Sequence, residues 1–257
     1  MSQTDGSRDS VLGRALAVLR AVGGSATPLS RAEIARLTGL PKATANRFIA
    51  QLVAEGLLQP VEQGVRLGLG LFDLGNLAEQ QGLGLSDVAT PYLAHLYEIT
   101  HETVQLAILD GLGVVYIQKI SGSASTKLNT RVGGRMPLTC TASGKVLLAH
   151  CKPDFRERVL RESGFARRTP RSITDRAALD RELSEVRRRK YAVDREEFQT
   201  GTASVAVPVL ARSGTAAAVT VSAPSDRLSV PTVVPALHAT AAAISREIAR
   251  VQPHLDR

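Results

Sequence analysis

Cysteine is scarce in this 257-residue chain: Cys140 and Cys151 are the only two. They lack metal-ligand spacing, and one isolated pair is no disulfide framework. Both are expected to be reduced and packed, which points to the cytoplasm. No apolar run approaches the roughly 20 residues of a membrane-spanning helix. The opening stretch, MSQTDGSRDS, has neither the basic nor the apolar segment of a secretion signal. Complete catalytic motifs are missing too. Ser143-Gly144-Lys145 matches the end of a phosphate-binding loop, but Thr139 stands where the first glycine is needed and Val146 where Ser or Thr is needed. His101-Glu102 lacks the second histidine of a zinc protease, and His95, Cys140, Cys151 and Asp194 fall in no recognised catalytic spacing. An enzyme is therefore the weakest reading, and no cofactor or metal is implied.

What is present suits a globular protein of two domains. The chain is 44% hydrophobic and 22% charged, and is long for a single core. A net charge of +8 invites a nucleic-acid partner. The distribution weakens that argument. Residues 1–70 hold eight Arg and Lys against five Asp and Glu. Much of the remaining excess lies in residues 152–190, including Arg187-Arg188-Arg189-Lys190 at the end of a predicted helix, where cations are favourable against the helix dipole.

Residues 30–56, SRAEIARLTGLPKATANRFIAQLVAEG, are more telling. Ser30 and Glu33 form a capping box that starts a helix, with Ile34 and Leu37 on its apolar face. Thr38-Gly39-Leu40 is the break, and Gly39 is free to take positive φ. Pro41 fits the first turn of a second helix, on which Ala45 or Thr44, Phe48 and Leu52 share a face. Lys42, Thr44, Asn46 and Arg47 crowd the first two turns on the other side. Gly56 ends the helix. A recognition helix presents its N-terminal residues to base edges and phosphates, and the polar cluster sits there. The competing reading is an ordinary helical hairpin with a solvated basic face.

The flanking segments favour DNA. LLQPVEQGVRLG reads as a β-hairpin around Glu62-Gln63-Gly64, a wing that carries Arg66. Ahead of Ser30, Leu12, Ala15, Leu16, Leu19 and Val22 make a helical stripe for core packing. Residues 1–69 are thus expected to be a winged helix-turn-helix domain. Residues 70–85 are expected to be a linker helix, whose Leu71, Leu74, Leu77 and Ala78 are either a dimer seam or packed within the chain.

Residues 86–257 read as a second domain. Ser86 caps a helix with Val88, Leu93, Leu96 and Ile99 inward. VQLAILDGLGVVYIQKI gives two strands around Asp110-Gly111. Residues 128–131 are a possible further strand. Residues 141–150, 153–161, 174–190 and 235–251 read as helices. SVAVPVL and AAAVTVS are strands of another hairpin. Hairpins interspersed with helices give an α+β domain around an antiparallel sheet.

Four motifs in order, GLPKATANRFIAQLVAEG, VRLGLGLFDLG, VGGRMPLTCTASGKVLLAH and YAVDREEFQTGTASVAVPV, resemble those of IclR-family transcriptional regulators over nearly the whole chain. The resemblance implies an N-terminal winged helix-turn-helix, a linker helix and a C-terminal GAF-like α+β effector-binding domain. It also implies homodimers or homotetramers on double-stranded operator DNA, activating or repressing under the control of a small molecule. The chain departs from the family pattern at Ala43 (usually Ser), Lys190 (usually Gly), Ser204 (usually Cys) and Leu210-Ala211 (usually an aromatic-acidic pair).

The resemblance further implies an effector site built from the backbone N–H groups of Ala142 and Ser143 with Asp194, Ser204, Thr220 and Ser222. The residues support it independently. Ala142 and Ser143 open a helix, whose free N–H groups suit a carboxylate. Thr220 and Ser222, two apart on a strand, share a sheet face, and hydroxyls facing a core need partners. Asp194 can accept from a ligand hydroxyl. The expected effector is a small organic acid with a hydroxyl, oxo or aromatic group. Two readings compete: strand hydroxyls satisfied among themselves, and a second domain that dimerises without sensing.

Overall fold

The computed structural model describes residues 10–78, 84–122, 128–211 and 214–251. Two compact units divide the chain, residues 1–83 and 84–257.

The first unit begins with α1 (Val11–Gly23), α2 (Arg31–Thr38) and α3 (Lys42–Ala54). The capping box that starts α2 forms as expected. The Glu33 N–H donates to Ser30 Oγ at 3.3 Å, and the Ser30 N–H donates to the Glu33 carboxylate at 2.8 Å. Gly39 breaks the helix at φ +70°. Pro41 stands one position earlier than expected, as the residue flanking α3, and supplies no side-chain cap. At the far end the Leu57 N–H reaches Leu52 O and the Gly56 N–H reaches Val53 O, with Gly56 at φ +69°. These paired bonds are the Schellman closure.

The wing follows as β1 (Leu58–Val61) and β2 (Gly64–Leu67), antiparallel across Glu62-Gln63. Leu29 bridges to Val65 on the open side of β2. This is why Gly64 is glycine: a Cβ there would lie 2.3 Å from the Leu29 carbonyl oxygen. Val18, Val22, Ile34, Phe48, Ile49, Leu52, Leu58 and Val65 form the small core.

Two expected contributors to that core stay outside. Leu12 is 70% exposed and Leu16 38%. The buried face of α1 is Val18 and Val22, with Ala15 and Leu19 partly covered. Ala15, Leu19 and Val22 of the expected stripe do meet the core; because α1 is apolar nearly all round, periodicity alone drew the stripe too wide. Leu37 on α2 is also exposed, and Ile34 and Ala35 are buried instead. Beyond the wing, α4 (Gly70–Ala78) presents Phe72, Leu74 and Leu77 exposed. Of the rest of the expected linker, residues 79–83 lie outside the described residues, and Leu85 already opens the next helix, with Gly84 as its N-cap.

The second unit is built on a six-stranded antiparallel sheet, ordered β5-β4-β3-β8-β7-β6. The strands are β3 (Thr103–Asp110), β4 (Gly113–Ile120), β5 (Arg135–Met136), β6 (Ala192–Arg195), β7 (Thr202–Ala211) and β8 (Gly214–Pro224). Both faces are covered. On one face Val193, Val205, Val207, Val219, Val221, Val104 and Leu106 pack under α5 (Leu85–Thr100) and α9 (Val230–Val251). The intervening residues point the other way, toward α6 (Ala142–His150), α7 (Pro153–Glu162) and α8 (Arg176–Arg189).

Several boundaries differ from expectation. Helix α5 starts at Leu85, so Ser86 lies inside it rather than capping it. Ile99 is exposed, because the inward stripe of Leu93 and Leu96 continues at Thr100, whose hydroxyl donates to Leu96 O. Residues 128–131 are not a strand. Their polar groups meet side chains instead: Lys119 Nζ donates to Thr130 O, and Gln105 Nε2 to Thr130 Oγ1. Helix α9 begins at Val230 and runs through Pro235.

Candidate functional site

On α3 the sequence places Ala45, Phe48, Ile49 and Leu52 inward. Lys42, Asn46 and Arg47 are consequently exposed on the opposite face, with Thr44 half-buried. Pro41 gives no side-chain cap. The first N–H groups of α3 are therefore left to an outside acceptor, and the end carries partial positive charge. The Arg47 guanidinium lies 5.6 Å from the Phe48 ring centroid. Arg66, exposed on β2, donates from Nε and Nη2 to Gln59 Oε1 on the facing strand, at 3.1 and 3.0 Å. That fork holds Arg66 upright on the wing.

In the second unit, α6 ends its N-terminal turn over the inner face of the sheet. Thr141 caps it: its hydroxyl accepts from the Gly144 N–H at 3.2 Å and donates to Pro137 O at 2.8 Å. The Ala142 and Ser143 N–H groups have no hydrogen-bond partner among the described residues. A Cβ on Gly144 would come within 2.4 Å of Leu138 O, so this turn needs glycine.

Beneath that turn runs a row of polar side chains, one per strand. Asp194 on β6 is opposite Ser204 on β7, which is opposite Ser222 on β8. Ser204 Oγ and Ser222 Oγ are 2.8 Å apart. Gln105 on β3 extends the network, its Oε1 accepting from Ser222 Oγ at 3.5 Å and its Nε2 donating to Thr130 Oγ1 at 2.9 Å. Ala142, Asp194, Ser204 and Ser222 line one narrow cleft, whose far wall is Phe198. Its free volume is about 10 Å³ for the centre of a water molecule, room for a single water.

Two expected site groups do not line the cleft. Ser143 is fully buried, its hydroxyl 3.2 Å from the Tyr116 hydroxyl. Thr220 sits one row further, opposite Gln105 and Ala206, and its Oγ1 is buried with no hydrogen-bond partner among the described residues.

Asp194 is the electrostatic centre. Its Oδ1 accepts the Glu197 N–H at 2.7 Å and the Phe198 N–H at 3.4 Å. Burial pushes its carboxyl up to about 7. The neighbouring Glu197 charge adds to the rise, while the Glu197 N–H bond and Lys145 oppose it. Lys145 itself is 1% exposed, held by Val193 O at 2.6 Å and the Glu197 carboxylate. Burial also raises the Tyr116 hydroxyl and the Cys140 thiol to about 12, so Cys140 is a neutral packed thiol rather than a nucleophile.

Gln105, Phe198, Lys145 and Glu197 were missed by sequence reasoning. Gln105 had a signal, since it alternates with Thr103 as Thr220 does with Ser222. The Lys145–Glu197 pair had none, because its members are 52 residues apart.

Comparison with known proteins decides the family. Residues 11–62 match the profile of the IclR helix-turn-helix domain, and residues 78–246 that of the bacterial transcriptional regulator IclR C-terminal domain. The chain belongs to the IclR family. This IclR-type protein is 34% identical to the HTH-type transcriptional regulator BhcR of Paracoccus denitrificans, over 85% of this chain and 78% of the relative. It is 34% identical to the regulator KdgR of Escherichia coli, over 84% of each. Among solved structures, an IclR homologue of Microbacterium hydrocarbonoxydans complexed with 4-hydroxybenzoate matches with a TM-score of 0.84 at 30% identity. That match covers 94% of this chain and 100% of the other. The Thermotoga maritima IclR matches with a TM-score of 0.78 at 28% identity, over 92% and 98%. The protein is a transcriptional regulator of the IclR type with an N-terminal helix-turn-helix domain and a C-terminal α+β domain, and its relatives are named regulators, not enzymes.

Proposed function

We propose that this regulator binds operator DNA through α3 and the wing, and that a small organic acid in the inner cleft of the second unit modulates that binding. In this reading Thr44, Asn46 and Arg47 read base edges while Lys42 and Arg66 hold phosphates. The exposure of Lys42, Asn46 and Arg47 beside an uncapped helix end supports it. The working domains are residues 1–69 for DNA, 70–85 as linker and 86–257 for the effector. A homodimer or homotetramer acting in the cytoplasm would set the spacing of two DNA half-sites. Exposed Leu74 and Leu77 on α4 favour the linker as part of the seam.

One observation carries the effector reading. Ala142, in the first turn of α6, lines the same cleft as Asp194, Ser204 and Ser222. A carboxylate on the helix end and a hydroxyl or oxo group over the row would satisfy both. The unpartnered Thr220 hydroxyl would complete the set from one row deeper. The 4-hydroxybenzoate held by the Microbacterium homologue is of this chemical class. Because the cleft is nearly closed, binding includes displacement of the Phe198 wall.

A thermal-shift panel of hydroxy, oxo and aromatic acids tests the reading. A ligand that binds only the native state raises the melting temperature. At least one acid should do so for the wild type and not for Asp194→Ala, which should still retain operator DNA. A panel without any shift, or an equal shift in Asp194→Ala, would show that the cleft is not the sensor.

A further inference from the structure

Phe198 has a second side. Beyond it lies another cavity of about 430 Å³, large enough for a small-molecule ligand. Its walls are chiefly apolar: Leu112, Met136, Pro137, Leu138 and Val159, with the Phe198 ring. Two cations line it. Arg135 is occupied, bound to the carboxylate and carbonyl of Asp110. Arg168 forms no ion pair among the described residues, and its guanidinium lies 5.2 Å from the Phe198 ring centroid.

The position of Arg168 is built. Ser172 Oγ accepts the N–H groups of Arg168 and Thr169, each at 3.0 Å, and donates to Glu197 O at 2.6 Å. The turn that carries Arg168 is thereby tied to the loop that carries Phe198. A free guanidinium over apolar walls is what a carboxylate with a hydrophobic body requires, since the planar fork pairs with carboxylate oxygens two at a time.

We propose that this outer cavity is a second ligand site, which takes an organic monocarboxylate of about aromatic size with its carboxylate on Arg168. The site is distinct from the inner cleft, and the Phe198 ring is their common wall. Asp194, which lines the inner cleft, accepts the Phe198 N–H, and Arg168, which lines the outer cavity, lies over the Phe198 ring. Occupants of the two sites therefore act on the same ring, and each must alter the affinity of the other by the same factor.

Benzoate titrated into the full chain tests this by calorimetry and by hydrogen exchange of residues 163–168. Wild type should bind benzoate with protection of that segment. Arg168→Gln should weaken this binding about tenfold, the value of one charge-assisted pair. Ser163→Trp, which fills the cavity from an exposed position, should abolish it. Asp194→Ala should retain protection of residues 163–168, so that a failure of the inner site is read separately. Absence of benzoate-dependent protection in the wild type, or equal binding in Arg168→Gln, would overturn the proposal.

Discussion

The two units keep their polar chemistry in opposite places. Among the described residues of the N-terminal unit, no polar or charged side chain is buried, and Lys42, Asn46, Arg47 and Arg66 all stand on the surface. The C-terminal unit buries Gln105, Lys145, Asp194, Glu197, Ser204, Thr220 and Ser222 in or beside one sheet face. A surface that meets DNA needs only a rigid frame beneath it, which a small apolar core supplies. A sensor must enclose its ligand, so it accepts the desolvation of polar groups and holds them with partners.

That contrast can be broken most severely at Lys145. Lys145→Met leaves Glu197 buried without its cation, and its Oε2 already has no partner among the described residues. The cost should be about 3–5 kcal/mol, as for other broken buried pairs. Chemical denaturation should show it, with the residues of the N-terminal unit retaining their hydrogen-exchange protection. An unchanged midpoint would mean that the pair does not hold the loop over the cleft.

On the surface side the effects should fall on affinity. Arg47→Ala should weaken operator binding by at least about tenfold, and on matched operators more than on scrambled DNA. Arg66→Ala should weaken both kinds of DNA alike and reduce the salt dependence by about one ion. Identical losses on operator and scrambled DNA for the two variants would remove the distinction between reading and holding.

The smallest effect sharpens the comparison through pH. The folded Asp194 carboxyl titrates near 7, well above the ~3.9 of an unfolded aspartate. Its contribution is therefore fully present below the unfolded value and is lost as pH rises through the folded one. Stability of the C-terminal unit should decline from about pH 4 to about pH 7, the window those two values define. Asp194→Asn keeps an oxygen acceptor for the Glu197 N–H and should flatten that decline. An equal slope in both proteins would assign it to another group.

The sequence was most legible where structure is local. The Ser30–Glu33 box, Gly39 and Gly56 announced α2 and α3 through neighbours within a turn. Legibility failed where the deciding partner is distant or the signal is redundant. Periodicity assigns Leu12 and Leu16 to the core although both are exposed, because α1 is apolar on almost every side. Residues 128–131 were read as a strand because the side chains of Gln105 and Lys119 that hold Thr130 cannot be seen from the segment itself. Strand alternation exposed the Thr220 and Ser222 pair, and the resemblance to the family brought in Asp194 and Ser204. Lys145, Glu197 and Phe198, which shape the cleft, needed the fold.

In the proposed switch, occupancy of the inner cleft alters how α3 meets DNA. The most direct measurement is fluorescence anisotropy of an operator fragment against the full chain, with and without an acid that raises its melting temperature. The account predicts a change in affinity of about fivefold to 150-fold, a coupling of roughly 1–3 kcal/mol, that disappears in Asp194→Ala. Equal operator affinity with and without a bound acid would contradict it.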